Sequence, residues 1–355
     1  MAYISKGEHL THLDFLRGVC VLTVVVFHCY AFLTHGHFLA MRETYLQFDR
    51  INYCGPIVVA MPLFTFISGF LYAYLRNLGK YSKDLPFLKN KIKRLLLPYI
   101  FFVVLFSITM EIQHTDFITI TNHTWHRIVY GNYIHLWYLP ILFWCFVIIR
   151  LYEHLTTSKI ALLLFLGLSL VLASNIPIID CIFNLRKVAP WFYWFLLGYT
   201  YFKFRDSLMF LFSNRNRKIT LLLLVCVCEI GLIHFFGFPD YKRPQFIASE
   251  FVIISIFIIA LFIVFEDLTK SEKIEKIFTN NLVKSISKYS FGIYIFHYWL
   301  APIIISSTAK RVFHLEAFAE HYYIFPIVFS IATFIASYIV TYLFQKTKLG
   351  NYLLG

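Results

Sequence analysis

Charged side chains are scarce in this chain: they make up 14% of its 355 residues, where a soluble domain needs roughly 25% to cover its surface. With 59% of residues hydrophobic and a mean hydropathy of +0.68, the shortfall argues against a water-soluble globule. One core cannot hide that much apolar surface, so lipid must solvate much of it. The sequence also has no C-x-x-C pair, and its seven cysteines (Cys20, Cys29, Cys54, Cys145, Cys181, Cys226, Cys228) are odd in number and mostly lie inside apolar runs. That pattern argues against a disulfide framework or a zinc site, and the thiols read as small buried hydrophobes. There is no low-complexity tract, no internal repeat and no long soluble stretch. The first apolar run lacks a small-residue cleavage site and is expected to stay as a helix. Acidic residues number 19 against 32 basic ones, a net charge of +13. The cations sit in short loops between apolar runs and form no continuous stripe, which argues against nucleic acid and for anionic lipid as the neighbour.

Long apolar runs and aromatic residues, 40 Phe and 24 Tyr, are what the sequence has in place of charge. A spanning helix takes about 20 mostly apolar residues. That length predicts spans near 15–34, 55–75, 95–112, 135–152, 159–176, 188–204, 218–237, 248–266, 287–306 and 321–345. The expected fold is therefore an all-α, polytopic membrane helix bundle of about ten helices, one transmembrane domain over residues 1–355. Of the 32 lysines and arginines, 23 fall on the side of the N-terminus and 9 on the opposite side. By the positive-inside rule both termini are cytoplasmic, in a multi-pass protein of the cell membrane.

Ionisable groups inside a span are expensive and mark candidate functional positions. The first span begins Leu13-Asp14-Phe15-Leu16-Arg17-Gly18 and stays apolar until His28. Eleven residues separate Arg17 from His28, about three turns plus 20°, so both fall on one helix face roughly 16 Å apart along the axis. One reading makes them a fixed cation at the inner mouth and a titratable base deep in the membrane. The other has Arg17 snorkel to lipid phosphate and His28 serve as a hydrogen-bonded interface histidine. Asp14, one turn before Arg17, is placed to pair with it.

The second span carries Ser68 and Gly69, small residues that permit close helix contact. Before the third lies Lys89-Asn90-Lys91-Ile92-Lys93-Arg94, a basic cluster suited to anchoring the chain or to holding the phosphates of an anionic cofactor. His135-Leu136-Trp137 opens the fourth span. The ninth includes Tyr294 and His297, the latter about 13 Å deep and level with His28; both histidines are consistent with a shared polar cavity or with separate structural roles. Glu229 and His234 are further intramembrane candidates. His35, His37, His114, His123 and His126 are expected in outer loops, without metal-ligand spacing, so no metal is called. Asn122-His123-Thr124 matches a glycosylation acceptor, a tripeptide common by chance.

Together these segments resemble the acyltransferase-3 family of membrane-bound O-acyltransferases. The resemblance rests on L-D-x-L-R-G with Arg17 and then His28, P-L-F-x-F-I-S-G-F-L around Ser68 and Gly69, and K-x-x-R-L-x-x-P with Lys91, Arg94 and Pro98. His135-Leu136-Trp137, Phe195-Leu196-Leu197-Gly198-Tyr199, and Ser290-Phe291-Gly292-Ile293-Tyr294 ending in His297 complete it. Lys91 stands where the family often has arginine, which loses a bidentate phosphate contact. Many relatives carry an extra hydrolase-like domain, for which this chain is expected to have no room. The resemblance implies transfer of an acyl group, usually acetyl from acetyl-CoA, to a hydroxyl of a cell-envelope glycan or lipid-linked sugar. It further implies that Lys91, Lys93, Arg94 and Arg17 hold the CoA phosphates and that His28 is the general base or an acyl-carrying nucleophile. Asp14, Ser68, His135, Trp137, Tyr294 and His297 would line the pocket. The rival reading is an exporter or flippase for a glycan or its lipid-linked precursor, which would need no CoA.

Overall fold

The computed structural model describes residues 10–35, 56–111, 117–175, 185, 187–211, 244–311 and 324–355, with scattered positions between 214 and 227. Those residues form helices and no strand. In chain order the helices are α1 (Thr11–His35), α2 (Pro56–Asn77), α3 (Asp84–Lys91), a π-helical turn (Ile92–Leu96), α4 (Leu97–Glu111) and α5 (Phe117–Tyr130). They continue with α6 (Tyr138–Leu155), α7 (Lys159–Asn175), α8 (Val188–Leu211), α9 (Pro244–Leu268), α10 (Glu272–Phe278), α11 (Asn281–Arg311), α12 (Ile324–Gln345) and α13 (Lys348–Leu354).

Among the described residues, seven helical stretches are long and apolar enough to cross a membrane: Thr11–Phe32, Val59–Asn77, Asp84–Thr109, Tyr138–Leu155, Glu250–Leu268, Asn281–Ser307 and Ile324–Gln345. This is a multi-pass membrane protein. Of the other three expected spans, 159–176 is a shorter apolar helix. The span expected at 188–204 is the longer α8, whose last turns carry Lys203, Arg205 and Asp206. The stretch 218–237 lies almost wholly outside the described residues, as do Glu229, His234, His37 and His114. His123 and His126, expected in a loop, lie on α5, and His35 ends α1. The described cysteines Cys20, Cys29 and Cys145 are free and buried.

In lipid the helices gain little from hydrophobic exclusion, so close packing and buried polar contacts hold them together. α2 and α8 cross backbone to backbone. A Cβ on Gly69 would fall 1.9 Å from the Phe195 carbonyl oxygen, and one on Gly198 would fall 2.0 Å from that of Phe66. α11 and α12 meet through Gly292, whose added Cβ would strike the Thr341 side chain at 2.1 Å. On α12, Ser330, Thr333, Ser337 and Thr341 form a buried small-residue stripe. The hydroxyls of Ser330, Ser337 and Thr341 bond carbonyls one turn back, leaving a smooth face for α1 and α11.

A half-buried carboxylate ties the loop end of this frame. Glu153 of α6 accepts from Tyr72 (2.8 Å), Arg76 (3.1 Å), Arg150 (3.2 Å) and Tyr199 (3.0 Å), joining α2, α6 and α8. Arg150 also donates to the Asp84 carboxylate and to the Ser82 carbonyl, which docks the start of α3 against α6. Removing one partner from such a cluster strands the remaining charges, at a cost of roughly 3–5 kcal/mol. Glu153→Ala is expected to lower the melting temperature of the detergent-purified protein sharply. Gly69→Ala and Gly198→Ala should each lower it too, overpacking costing about 1–3 kcal/mol of stability, and the double variant less than the sum because both act at one crossing. Unchanged melting of Gly198→Ala would show that the crossing does not hold the frame.

Candidate functional site

One face of α1 runs through the site. Arg17 opens into a cavity at its early turns, Cys20, Val21 and Val24 line a narrower space beyond, and His28 follows one turn after Val24. The structure brings His28 against His297 of α11, with ring centroids 4.9 Å apart and Nδ1 of His28 2.9 Å from Nε2 of His297. His297 is fully buried.

The backbone carbonyls assign the protons. His297 Nδ1 lies 3.2 Å from the Ile293 oxygen and His28 Nδ1 lies 3.1 Å from the Val24 oxygen. A carbonyl only accepts, so in the neutral rings each Nδ1 carries hydrogen. His297 Nε2 is then a lone pair that accepts from His28 Nδ1–H, and the remaining lone pair of His28 sits on Nε2, which bonds no described residue. His135 completes a triangle, its ring 5.2 Å from His297 and 6.4 Å from His28. Its Nε2–H donates to the Ile295 carbonyl at 2.9 Å, and the Tyr294 hydroxyl donates to its backbone oxygen. Its Nδ1 is buried without a hydrogen-bond partner. The turn presenting His135 has left-handed backbone at Gly131 (φ 64°) and Ile134 (φ 34°). For a β-branched residue such as Ile134 that is strained, a state seen where surrounding contacts fix a site.

The cavity that receives Arg17 has a volume of about 350 Å³. Its lining includes five cations, Arg17, Lys91, Lys93, Arg94 and Lys288, and no acidic side chain among the described residues. Local chemistry explains the placement of three of them. Pro98 has no N–H for the Arg94 carbonyl and its ring crowds that oxygen. The helix loosens just before it into the π turn Ile92–Leu96, which closes on a Leu97 N–H bond to the Ile92 oxygen. The cations are met by ring faces and carbonyls. Lys91 Nζ sits 3.5 Å from the Phe146 ring centre, with Tyr81 and Phe87 at 5.3 and 5.4 Å. Lys93 lies 4.0 Å from the centre of Tyr352, and Arg94 donates to the main-chain oxygen of Gly355 at 3.3 Å. Ring quadrupoles hold Lys91 and Lys93 in place without cancelling their charge, so the cavity is basic in character.

Ser68 and Tyr294 line this cavity beside the cations. Trp137 does not: it packs on Trp191 at 5.1 Å, with Lys187 over its ring. Asp14 is held by a 2.6 Å hydrogen bond from Ser287. Asp14 also acts electrostatically on Arg17, one turn on, so it links the α1 cation to α11. Ser287, Lys288, Asn90 and Tyr138 also line the cavity, and sequence reasoning passed over them. Lys288 had one signal, as the last cation before the ninth span. Residues 351–355 at the end of α13 form another wall and had none, since seven residues of mixed polarity resemble any surface turn.

The sequence profile of the acyltransferase-3 family, described as an acyltransferase domain, matches residues 10–346. The chain belongs to the acyltransferase-3 family. No curated protein and no solved structure matches it. The matched stretch holds all the candidate residues from Asp14 to His297, while the cavity wall at residues 351–355 lies beyond it.

An uncompensated cation cluster should bind multivalent anions. Inorganic pyrophosphate is expected to raise the melting temperature of the purified protein, an effect that fades with added salt. Arg94→Gln or Lys288→Gln should weaken that binding by roughly tenfold or more, the worth of a charge-assisted hydrogen bond. Equal stabilisation of both variants and the parent would place the anion elsewhere.

Proposed function

We propose that this acyltransferase moves an acetyl group from cytoplasmic acetyl-CoA to a hydroxyl of a cell-envelope glycan or lipid-linked sugar, working in the cell membrane with both termini in the cytoplasm. The observation that carries the reading is the arrangement along α1: a cation-lined cavity at one end and, at the other, a histidine whose Nε2 lone pair bonds no described residue. Phosphates of the donor suit Lys91, Lys93, Arg94, Lys288 and Arg17. Its thioester end then points along the α1 face toward His28. The bias of basic residues, 23 of 32 on the side of the N-terminus, supports a cytoplasmic mouth for the cavity.

In this reaction His28 Nε2 takes the proton of the acceptor hydroxyl as its oxygen attacks the thioester carbonyl, and the carbon–sulfur bond breaks. The proton passes to the departing thiolate, leaving an ester and free CoA. His297 acts through His28: its lone pair holds the His28 Nδ1–H, fixes the ring, and favours the imidazolium that forms during transfer, as the third member of a catalytic triad does. It is a positioning residue.

The test uses membranes holding matched, folded amounts of parent, His28→Ala, His297→Leu and His297→Gln, and follows label from [¹⁴C]acetyl-CoA into envelope glycan. Parent membranes should incorporate label, and His28→Ala should lose roughly 100-fold or more. His297→Leu is expected to lower kcat with little change in KM for acetyl-CoA, while His297→Gln, which keeps an acceptor atom, regains part of the loss. Equal incorporation by parent and His28→Ala would remove His28 from the chemistry. Absence of transfer from any acyl donor would favour the exporter.

A further inference from the structure

Between the cation cavity and His28 the structure holds a second, far smaller space of about 20 Å³. Cys20, Val21, Val24 and Met61 line it, and Phe64, Tyr138 and Tyr294 line both spaces, so the two share a wall. Val24 stands about 6 Å before His28 along the helix axis, and its carbonyl receives the His28 Nδ1–H. The small space thus lies, as a throat, on the line an acyl group would follow from the cavity toward His28.

We propose that the throat gauges the acyl chain, with Val24 and Met61 as the measuring residues, so that the enzyme accepts acetyl and rejects longer or acidic acyl groups. The inference rests on the transferase reading above and adds the residues that select its donor. About 20 Å³ is a narrow space, which an acetyl group fits with less crowding than a longer acyl chain. Val24 is a β-branched residue in a helix, and its side chain is held to one rotamer. Two other walls are tied by hydrogen bonds: the Tyr138 hydroxyl is paired with Thr65 at 3.0 Å and that of Tyr294 donates to the His135 carbonyl. Met61, half-buried and unbranched, fills the remaining side. The throat also has no cation, and with both phenols engaged it offers nothing to the carboxylate of a succinyl group, which would be buried unpaired.

The experiment supplies acetyl-, propionyl-, butyryl- and succinyl-CoA, each labelled in the acyl group, to membranes containing the protein, and counts label in envelope glycan. The ratio between donors is read within one sample, so it does not depend on how much protein folded. The parent should favour acetyl over propionyl by roughly tenfold or more, the usual worth of one methylene in a tight pocket, with butyryl and succinyl lower still. Val24→Ala and Met61→Ala, made separately, should each raise the propionyl-to-acetyl ratio by about tenfold, and Val24→Ile should depress acetyl transfer. A parent that uses propionyl and butyryl as readily as acetyl, or a ratio unmoved in both alanine variants, overturns the gauge and leaves the transferase standing. Absence of label from every donor removes the transferase, and the gauge with it.

Discussion

Charge placed where water is absent must be paired or must face a cavity, at a cost otherwise of several kcal/mol. This protein meets that demand in two opposite ways on neighbouring helices. Around Glu153, cations and carboxylate meet in one half-buried cluster with two tyrosine hydroxyls, and nothing is left to recruit a ligand. A short way along α3, Lys91, Lys93 and Arg94 meet ring faces and a carbonyl instead, around open space. The first arrangement closes a structure. The second leaves its cations facing open space, which is the setting the proposed donor site requires.

The closed cluster positions the open one. Arg150 links Glu153 to Asp84 and Ser82, so it fixes where α3 begins, and α3 leads directly into the π turn that carries Lys93 and Arg94. Pro98 supplies the local break that turns both side chains toward the cavity. The same economy of means appears at the histidines. Backbone carbonyls of α1 and α11, available without any special side chain, set the protons on His28 and His297 and leave one lone pair directed outward. Preorganised groups of this kind need no rearrangement during a reaction.

What was legible in the sequence follows from what is periodic or local. The spans showed as apolar length, the common face of Arg17 and His28 as an eleven-residue spacing, and one side of the helix crossing as the small residues Ser68 and Gly69. Depth counting put His28 and His297 at one level, and the structure places their rings in contact. Contacts between distant segments left no such trace. Nothing periodic links Glu153 to Tyr72 and Tyr199, Lys91 to Phe146, or α13 to the cavity wall. The second partner of Asp14 was hidden for the same reason: spacing within one helix points to Arg17, while Ser287 is 273 residues away. Trp137 shares its motif with His135, yet a turn sends the two side chains to different neighbours.

That a single helix carries both a cation of the cavity and one of the paired histidines is a question of registration. If Arg17 and His28 sat on separate helices, each shift between those helices would change the distance from cation to histidine, and lipid packing permits such shifts. On α1 that distance is fixed by the helical rise, about 1.5 Å per residue, and the shared face by the twist of about 100° per residue. Adding or deleting one residue between them would turn His28 through more than a quarter of a circle and take it out of reach of His297. The spacing of ten intervening residues is thus a length set by geometry: the reach from a charged mouth, through an apolar throat, to a proton acceptor. The other helices need only hold that ruler in place, which is what the ties from α11 and the smooth face of α12 do.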